Sequence, residues 1–283
     1  MVKHVIPESY REALIHLRDG DFHIVAGGTD IMLKYRNEAD LPPKFDRDVL
    51  YILNLDELKY IQSEAHVWRI GALTSYEMLL DHPDLPEVFK AAWLDIGGPG
   101  LRHVATLAGN IANASPAADG IMPLYLYDAQ VVLESCGGSR TVPIEAVITG
   151  PKQTAIASHE MIREIIIPKH PFNVTQWLKV GTRKADAISK VSFCGAAHVE
   201  AGVIHELRFT LGSVAPTVIR ARDIEGSLKG LLISELKTKT AFVLNAYSER
   251  IQPIDDQRSN KHYRHQVALN LIEDFMTQLI KEG

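Results

Sequence analysis

Apolar residues recur at helical spacing near the start of the chain, where Tyr10, Ala13, Leu14 and Leu17 share one face between Pro7 and Gly20. That period predicts an amphipathic helix opened by the proline and closed by the glycine. Shorter runs follow. Asp48–Leu53 and Trp68–Gly71 predict strands, whereas Ile31–Arg36, Tyr76–Leu80 and Glu87–Trp93 predict helices. Val131–Glu134 and Arg140–Val142 flank Gly137-Gly138 in a hairpin pattern, and Met161–Ile167 reads as a further strand. Pro168 and Pro171 then punctuate the chain, which places a domain boundary near residue 173. Beyond it, long strands are followed by helices, an α+β pattern. Ser189–Val199 and Val203–Leu211 predict a hairpin around Glu200-Ala201-Gly202, and helices beginning near Ile219, Ile233 and Tyr263 are expected to pack on one face of that sheet.

Composition narrows the class. The 283 residues are 46% hydrophobic and 23% charged, enough for two domains with real cores in a globular protein. A net charge of −5 supplies no basic face for nucleic acid. The N-terminus lacks the apolar core of a signal peptide, and no run approaches the ~20 apolar residues of a membrane span, so a cytoplasmic location without membrane contact is expected. Cys136 and Cys194 are too few for a Cys₄ iron–sulfur cluster and do not form a disulfide framework. His262 and His265 lie three apart on a predicted helix but lack a third ligand, so no metal site is expected.

Candidate chemistry concentrates in two loops. Ala105–Asp119 combines small residues, amides and one acid, with Gly109 allowing close backbone approach and Thr106, Asn110 and Asn113 offering hydrogen-bonding groups. Upstream, Ile24–Ile31 runs from a strand through Gly27-Gly28 toward a helix, the kind of turn whose free amides hold an anion. Neither loop carries Lys or Arg between its glycine and the next helix, so neutral N–H groups are expected to meet the ligand's charge. Gly98-Pro99-Gly100 is a decoy. His103 fills the third glycine position of a dinucleotide fingerprint, and no suitable strand precedes it. There is no Gly-x-Ser-x-Gly elbow, no Walker loop and no convincing acid/base pair, so no catalytic residue is assigned.

Six motifs in order, Ala26–Asp30, Ile70–Thr74, Arg102–Ile111, Ser115–Asp119, Gly212–Pro216 and Ile251–Arg258, make the whole chain resemble the FAD-binding medium subunit of the xanthine dehydrogenase and carbon monoxide dehydrogenase family of molybdenum hydroxylases. The resemblance implies an α+β fold: a two-part flavin-binding domain of the vanillyl-alcohol oxidase type over 1–173, with parts of about 1–55 and 56–173, then a small α+β C-terminal domain over 174–283 that closes over the flavin. It implies non-covalent FAD. Val25, Ala26, Gly27, Gly28, Thr29, Asp30 and Ile31 match one grip on the pyrophosphate, and Ala105, Thr106, Gly109 and Asn110 match the other, with Arg102 flanking. Ile96 matches a position on the adenine side, Asn113 and Asp119 positions nearer the ribityl chain and ring, and Ile162, Lys179 and Asp186 positions beside the isoalloxazine.

Some residues in and near these motifs also have plainer readings. Asp119 could N-cap the helix that follows it, Lys179 and Arg183 could belong to a solvated strand face, and Asp255, Asp256 and Arg258 would tie down the last helix or meet another subunit. Ala187 stands where family members often carry an aromatic gate.

The function implied is that of an oxidoreductase subunit. Electrons would pass from a molybdenum cofactor on a large partner and two-iron two-sulfur clusters on a small partner, through FAD, to NAD or another acceptor. A stand-alone FAD oxidoreductase of the same fold would need a substrate cap with its own base, for which the residues after 173 leave little room. An assembly module without flavin would have no use for paired phosphate nests.

Overall fold

The computed structural model describes residues 2–282. Its first layer is a small parallel sheet made by β1 (His4–Val5), β2 (Phe22–Val25) and β3 (Asp48–Tyr51) in the order β1-β3-β2, with α1 (Tyr10–Asp19) and α2 (Ile31–Lys34) in the connections. Ser9 caps α1 by accepting the Glu12 amide, and the predicted face of Tyr10, Ala13, Leu14 and Leu17 is buried in one cluster with Leu50, Ile52 and Leu58. The helix expected over Ile31–Arg36 is cut to one turn. Tyr35 leaves it to pack on His23 and Phe45, at ring centroid distances of 4.7 and 5.0 Å, and its carbonyl accepts the Lys44 amide.

The second layer is an antiparallel sheet. β4 (Ile61–Ser63) and β5 (Val67–Gly71) lead into five short helices, α3 (Tyr76–Leu80), α4 (Glu87–Leu94), α5 (Pro99–Arg102), α6 (Leu107–Asn113) and α7 (Met122–Leu126). β6 (Gln130–Ser135) and β7 (Gly138–Pro143) form the expected hairpin, followed by α8 (Ile144–Val147), the small β8 (Ile148–Gly150) and β9 (Gln153–Thr154) pair, and β10 (Met161–Pro168). The strand order is β4-β5-β10-β6-β7. Phe89 anchors the core beneath the helices, with ring centroids 4.6 Å from Tyr127 and 5.1 Å from Trp93.

The third sheet comprises β11 (Val174–Val180), β12 (Val191–Glu200) and β13 (Val203–Gly212), all antiparallel, followed by α9 (Arg222–Leu228), α10 (Ile233–Ser248) and α11 (Lys261–Glu282). The helix expected from Ile219 starts later, because Ile219 exchanges both backbone hydrogen bonds with Leu211 and stays extended. Helices cover one face, where Phe193, Phe209 and Phe275 pack together in tilted and edge-to-face contacts. The other face is buried too: Cys194 and Ala196 belong to the core of the preceding layer. Burial on both sides explains why Val191–Ala197 is buried throughout and, apart from Ser192, carries no polar side chain.

The Asp255–Arg258 group ties α11 down, as expected. Asp255 accepts the Lys261 amide, while Asp256 accepts the Arg258 and Ser259 amides and the Arg264 guanidinium, at 2.6 Å. Arg264 also donates to the Lys190 and Ser213 carbonyls. Partial burial raises the Asp256 carboxyl, but these bonds outweigh it and hold the group at about 2 against an ordinary 3.8. A folded value below the unfolded one stabilises above pH 3.8, and that contribution is lost as pH falls through about 2. Asp256→Asn is therefore expected to cost roughly 1–2 kcal/mol at pH 7, a figure reduced for partial solvation, and little at pH 2. Urea midpoints measured across that range test it; a cost independent of pH would contradict it.

Candidate functional site

Strand β2 feeds directly into the loop Ala26–Asp30, where Gly28 takes φ +73° and its carbonyl accepts the Met32 amide at 3.0 Å. Glycine adopts that left-handed conformation without strain. The turn is closed by the amides of Met32, Lys34 and Tyr35, and those of Gly28, Thr29 and Asp30 have no acceptor among the described residues. Gly27 touches the second loop. A Cβ there would stand 1.8 Å from the Val104 carbonyl oxygen and 3.1 Å from the Ala105 nitrogen.

The second loop is held from the opposite side. The Tyr76 amide donates to the Ala105 carbonyl at 3.0 Å, and Ser75 bridges Thr106. Thr106 N-caps α6, its hydroxyl oxygen accepting the Gly109 amide at 3.0 Å, while the Leu107 and Ala108 amides have no acceptor among the described residues. The two loops therefore meet where Gly27 touches Val104 and Ala105, although 77 residues separate Gly28 from Ala105.

Gly120 forms the floor. A Cβ on it would stand 2.1 Å from the Tyr76 hydroxyl, 2.8 Å from Asn110 Oδ1 and 3.0 Å from Ile96 Cδ1. The first two are buried polar atoms with no protein partner among the described residues, and Ile96 adds an apolar wall. Burial, then the charges of Asp119 and Asp30, push the Tyr76 hydroxyl well above its ordinary range, so it is a neutral donor.

Asp119 does not cap a helix; no side-chain cap forms at its own turn or at α7. Its carboxylate, 7% exposed, accepts the Ser189 hydroxyl at 2.7 Å and the Lys179 ammonium at 2.9 Å. Burial raises this carboxyl above its ordinary value, with Lys179 and Ser189 pulling it down. The solvated-face reading of Lys179 also fails. Alternation along β11 turns Trp177 and Lys179 to the same side, where the indole N–H donates to Asp95 Oδ2 (2.8 Å) and the ammonium to the Asp95 carbonyl (2.7 Å).

The remaining expected residues lie at varied depth. Asn113 donates to Asp30 at 2.8 Å across the two loops. Val25 is buried, and Ala26 and Ile31 pack against the small clusters of the first layer. Ile162 is buried in the same core as Ala105 and Ala108. Asp186 is exposed at the lip near Gly98 and bonds neither Asp119 nor Lys179, while Arg183 turns back onto the Ala185 and Asp186 carbonyls. Arg102 is buried and braces the segment beside the cleft through the Leu94 and Gly97 carbonyls and Glu77. Tyr76, Asp95, Gly120, Lys152 and Ser189 were not singled out in the sequence. Gly120 adjoins Asp119 and Asp95 adjoins Ile96; the others carry no spacing signal.

Residues 1–170 match the family model for the FAD binding domain in molybdopterin dehydrogenase, and residues 176–279 match that for the CO dehydrogenase flavoprotein C-terminal domain. The chain belongs to this FAD-binding flavoprotein family. It is similar to a putative xanthine dehydrogenase FAD-binding subunit of Escherichia coli K12, with 30% identity over 267 residues covering 92% of this chain and 88% of that one. It is also similar to the carbon monoxide dehydrogenase medium chain of Hydrogenophaga pseudoflava, 26% identical over 274 residues that cover 94% and 93% of the two chains. A solved carbon monoxide dehydrogenase from that organism superposes with a TM-score of 0.84 at 25% identity, covering all of this chain and 95% of the other.

The donor set of this family member fits FAD. Unpaired amides on both loops suit a pyrophosphate, and the orphaned Asn110 Oδ1 and Tyr76 hydroxyl suit a polar ligand reaching the floor. Among the described residues, no helix is long and apolar enough to cross a membrane.

Proposed function

We propose that this chain is the FAD-carrying subunit of a molybdenum hydroxylase, receiving electrons from iron–sulfur clusters on a small partner and delivering them to NAD or another acceptor. Substrate oxidation then belongs to a molybdenum cofactor on a large partner. The observation that carries the reading is the meeting of two glycine-containing loops at Gly27, with free amides on both sides, above the buried Lys179–Asp119 pair. The names of its relatives, "FAD-binding subunit" and "medium chain", support a place in a multisubunit enzyme. Unpaired Cys136 and Cys194 suit a reducing, cytoplasmic compartment.

In this proposal Val25–Ile31 and Ala105–Asn110 grip the pyrophosphate, Asn113 and Asp119 serve the ribityl side, Ile96 lines the cleft, and Ile162, Lys179 and Asp186 belong to the ring's surroundings. Residues 1–173 form the flavin domain and 174–283 the domain that covers it, a division supported by the third sheet's start at Val174. Bound FAD supplies the electron exchange itself. The chain supplies orientation and field. Asp119 and the Asp95 carbonyl hold the Lys179 ammonium in place, and the positive end of that ion pair, in a partly dry site, would favour negative charge developing on its own side. No general base is required of this chain.

The purified protein is expected to be yellow and to release intact FAD on acid precipitation. Colourless protein that also refuses added FAD would remove the cleft assignment. Alone it should oxidise no organic substrate, and adding the cognate molybdenum and iron–sulfur chains should restore turnover to an acceptor. Steady turnover by the lone chain, with partner chains excluded by mass spectrometry, would instead establish a stand-alone oxidoreductase.

A further inference from the structure

Two carboxylates flank the cleft, yet a pyrophosphate is itself anionic. Asp119 is neutralised directly by Lys179. Asp30, at the end of the first loop, has no direct ion pair among the described residues. Its Oδ2 accepts the Asn113 amide at 2.8 Å, and Asn113 Oδ1 in turn accepts the Lys152 ammonium at 2.7 Å. The side-chain amide is thus polarised from both ends, with its NH₂ toward the acid and its oxygen toward the cation.

Lys152 comes from the turn between β8 and β9, far in sequence from both loops. Lys152 has φ +60°, and its amide donates at 2.8 Å to the carbonyl of Ala114, which is itself at φ +45° just past the end of α6. The paired turns fix the root of the side chain beside Asn113.

We propose that Lys152 is a positioning residue for FAD: through Asn113 it offsets the charge of Asp30, so that a pyrophosphate can settle between the two loops. This rests on the reading that FAD occupies this cleft. The relay makes a specific demand, because the lysine matters only while Asp30 is charged.

The test is a double-mutant cycle read by FAD titration of apoprotein, followed by flavin fluorescence. At low salt Lys152→Met should raise the FAD Kd roughly 5-fold, the scale of one partly screened charge interaction, and Lys152→Arg should recover most of the loss. In an Asp30→Asn background the same Lys152→Met change should alter Kd by less than about twofold, the non-additivity expected of coupled residues. Added salt should narrow the gap between wild type and Lys152→Met. Thermal unfolding of the apoproteins checks folding, and Lys152→Gln replaces the methionine variant if that one does not fold. Unchanged affinity in Lys152→Met, or an equal loss with and without Asp30, overturns the relay. A wild-type chain that binds no FAD overturns the cleft reading and this proposal together, whereas wild-type binding with an indifferent Lys152 overturns this proposal alone.

Discussion

Gly27→Ala is expected to weaken FAD binding by two orders of magnitude or more while leaving the fold intact. The added methyl would stand 1.8 Å from the Val104 carbonyl oxygen, a backbone atom that cannot rotate away. Its neighbour Ala105 is held by the Tyr76 amide, and Arg102 braces the segment just before it, so the strain falls on the first loop. The two sets of amides then part. Losing two charge-assisted hydrogen bonds at ~1.5–3 kcal/mol each gives about 3–6 kcal/mol, or roughly 10²- to 10⁴-fold in affinity. Gly28→Ala should do less: its methyl meets the flexible Met32 Cγ at 3.1 Å and Val25 Cγ1 at an ordinary 3.7 Å, and the left-handed φ of +73° adds ~1–2 kcal/mol of strain. Gly100→Ala, whose methyl meets nothing within 4 Å, is the control. Fluorescence titration ranks the three. Affinity in Gly27→Ala within about threefold of wild type would mean that the loops do not act as one anion site.

Lys179→Met is expected to damage both stability and electron transfer. It leaves the buried Asp119 carboxylate with the Ser189 hydroxyl and no cation, and breaking a buried pair this way costs about 3–5 kcal/mol. Burial already raises the Asp119 carboxyl, and without Lys179 nothing but hydrogen bonding opposes that rise. A folded value above the unfolded one means that the native state binds the proton more tightly. The penalty should therefore be absent at low pH and grow as pH rises toward and through the raised folded value. Urea midpoints at several pH values read this directly, and Asp119→Asn added to Lys179→Met should recover most of the loss at pH 8. In the assembled enzyme, reduction of the flavin should slow because a nearby positive charge is gone. Wild-type stability at pH 8 together with an unchanged reduction rate would remove Lys179 from the site.

Local patterns in this chain were legible where a single element's own periodicity decided the outcome. The face of α1, the glycine turn between β6 and β7, and the limits of α3 all follow from side-chain spacing and capping. Misreadings arose where a distant partner outcompeted the local preference. Tyr35 leaves α2 because His23 and Phe45 offer it an aromatic pocket, and Ile219 stays extended because Leu211 pairs with it. Asp119 looked equally like a helix cap, since a carboxylate before an apolar run suits one; β11 and the loop after it bring a lysine and a serine that bind it better.

By itself, then, the sequence determined the chemistry on offer: two glycine-containing loops rich in amide and hydroxyl groups, one acid at the end of each, no metal-ligand set, and six motifs in a family's order. Those are properties of residue type and spacing, which a linear chain carries in full. Only the tertiary structure decided how the charges are distributed, because Lys179 reaches Asp119 directly and Lys152 reaches Asn113, which binds Asp30, from a strand and a turn with no sequence relation to them. It also decided that Gly27 is the contact between the loops, while Gly28 is the residue that bends the first of them. The energy of an ion pair or a close backbone approach depends on distance in space, and that distance exists only once the three sheets have packed.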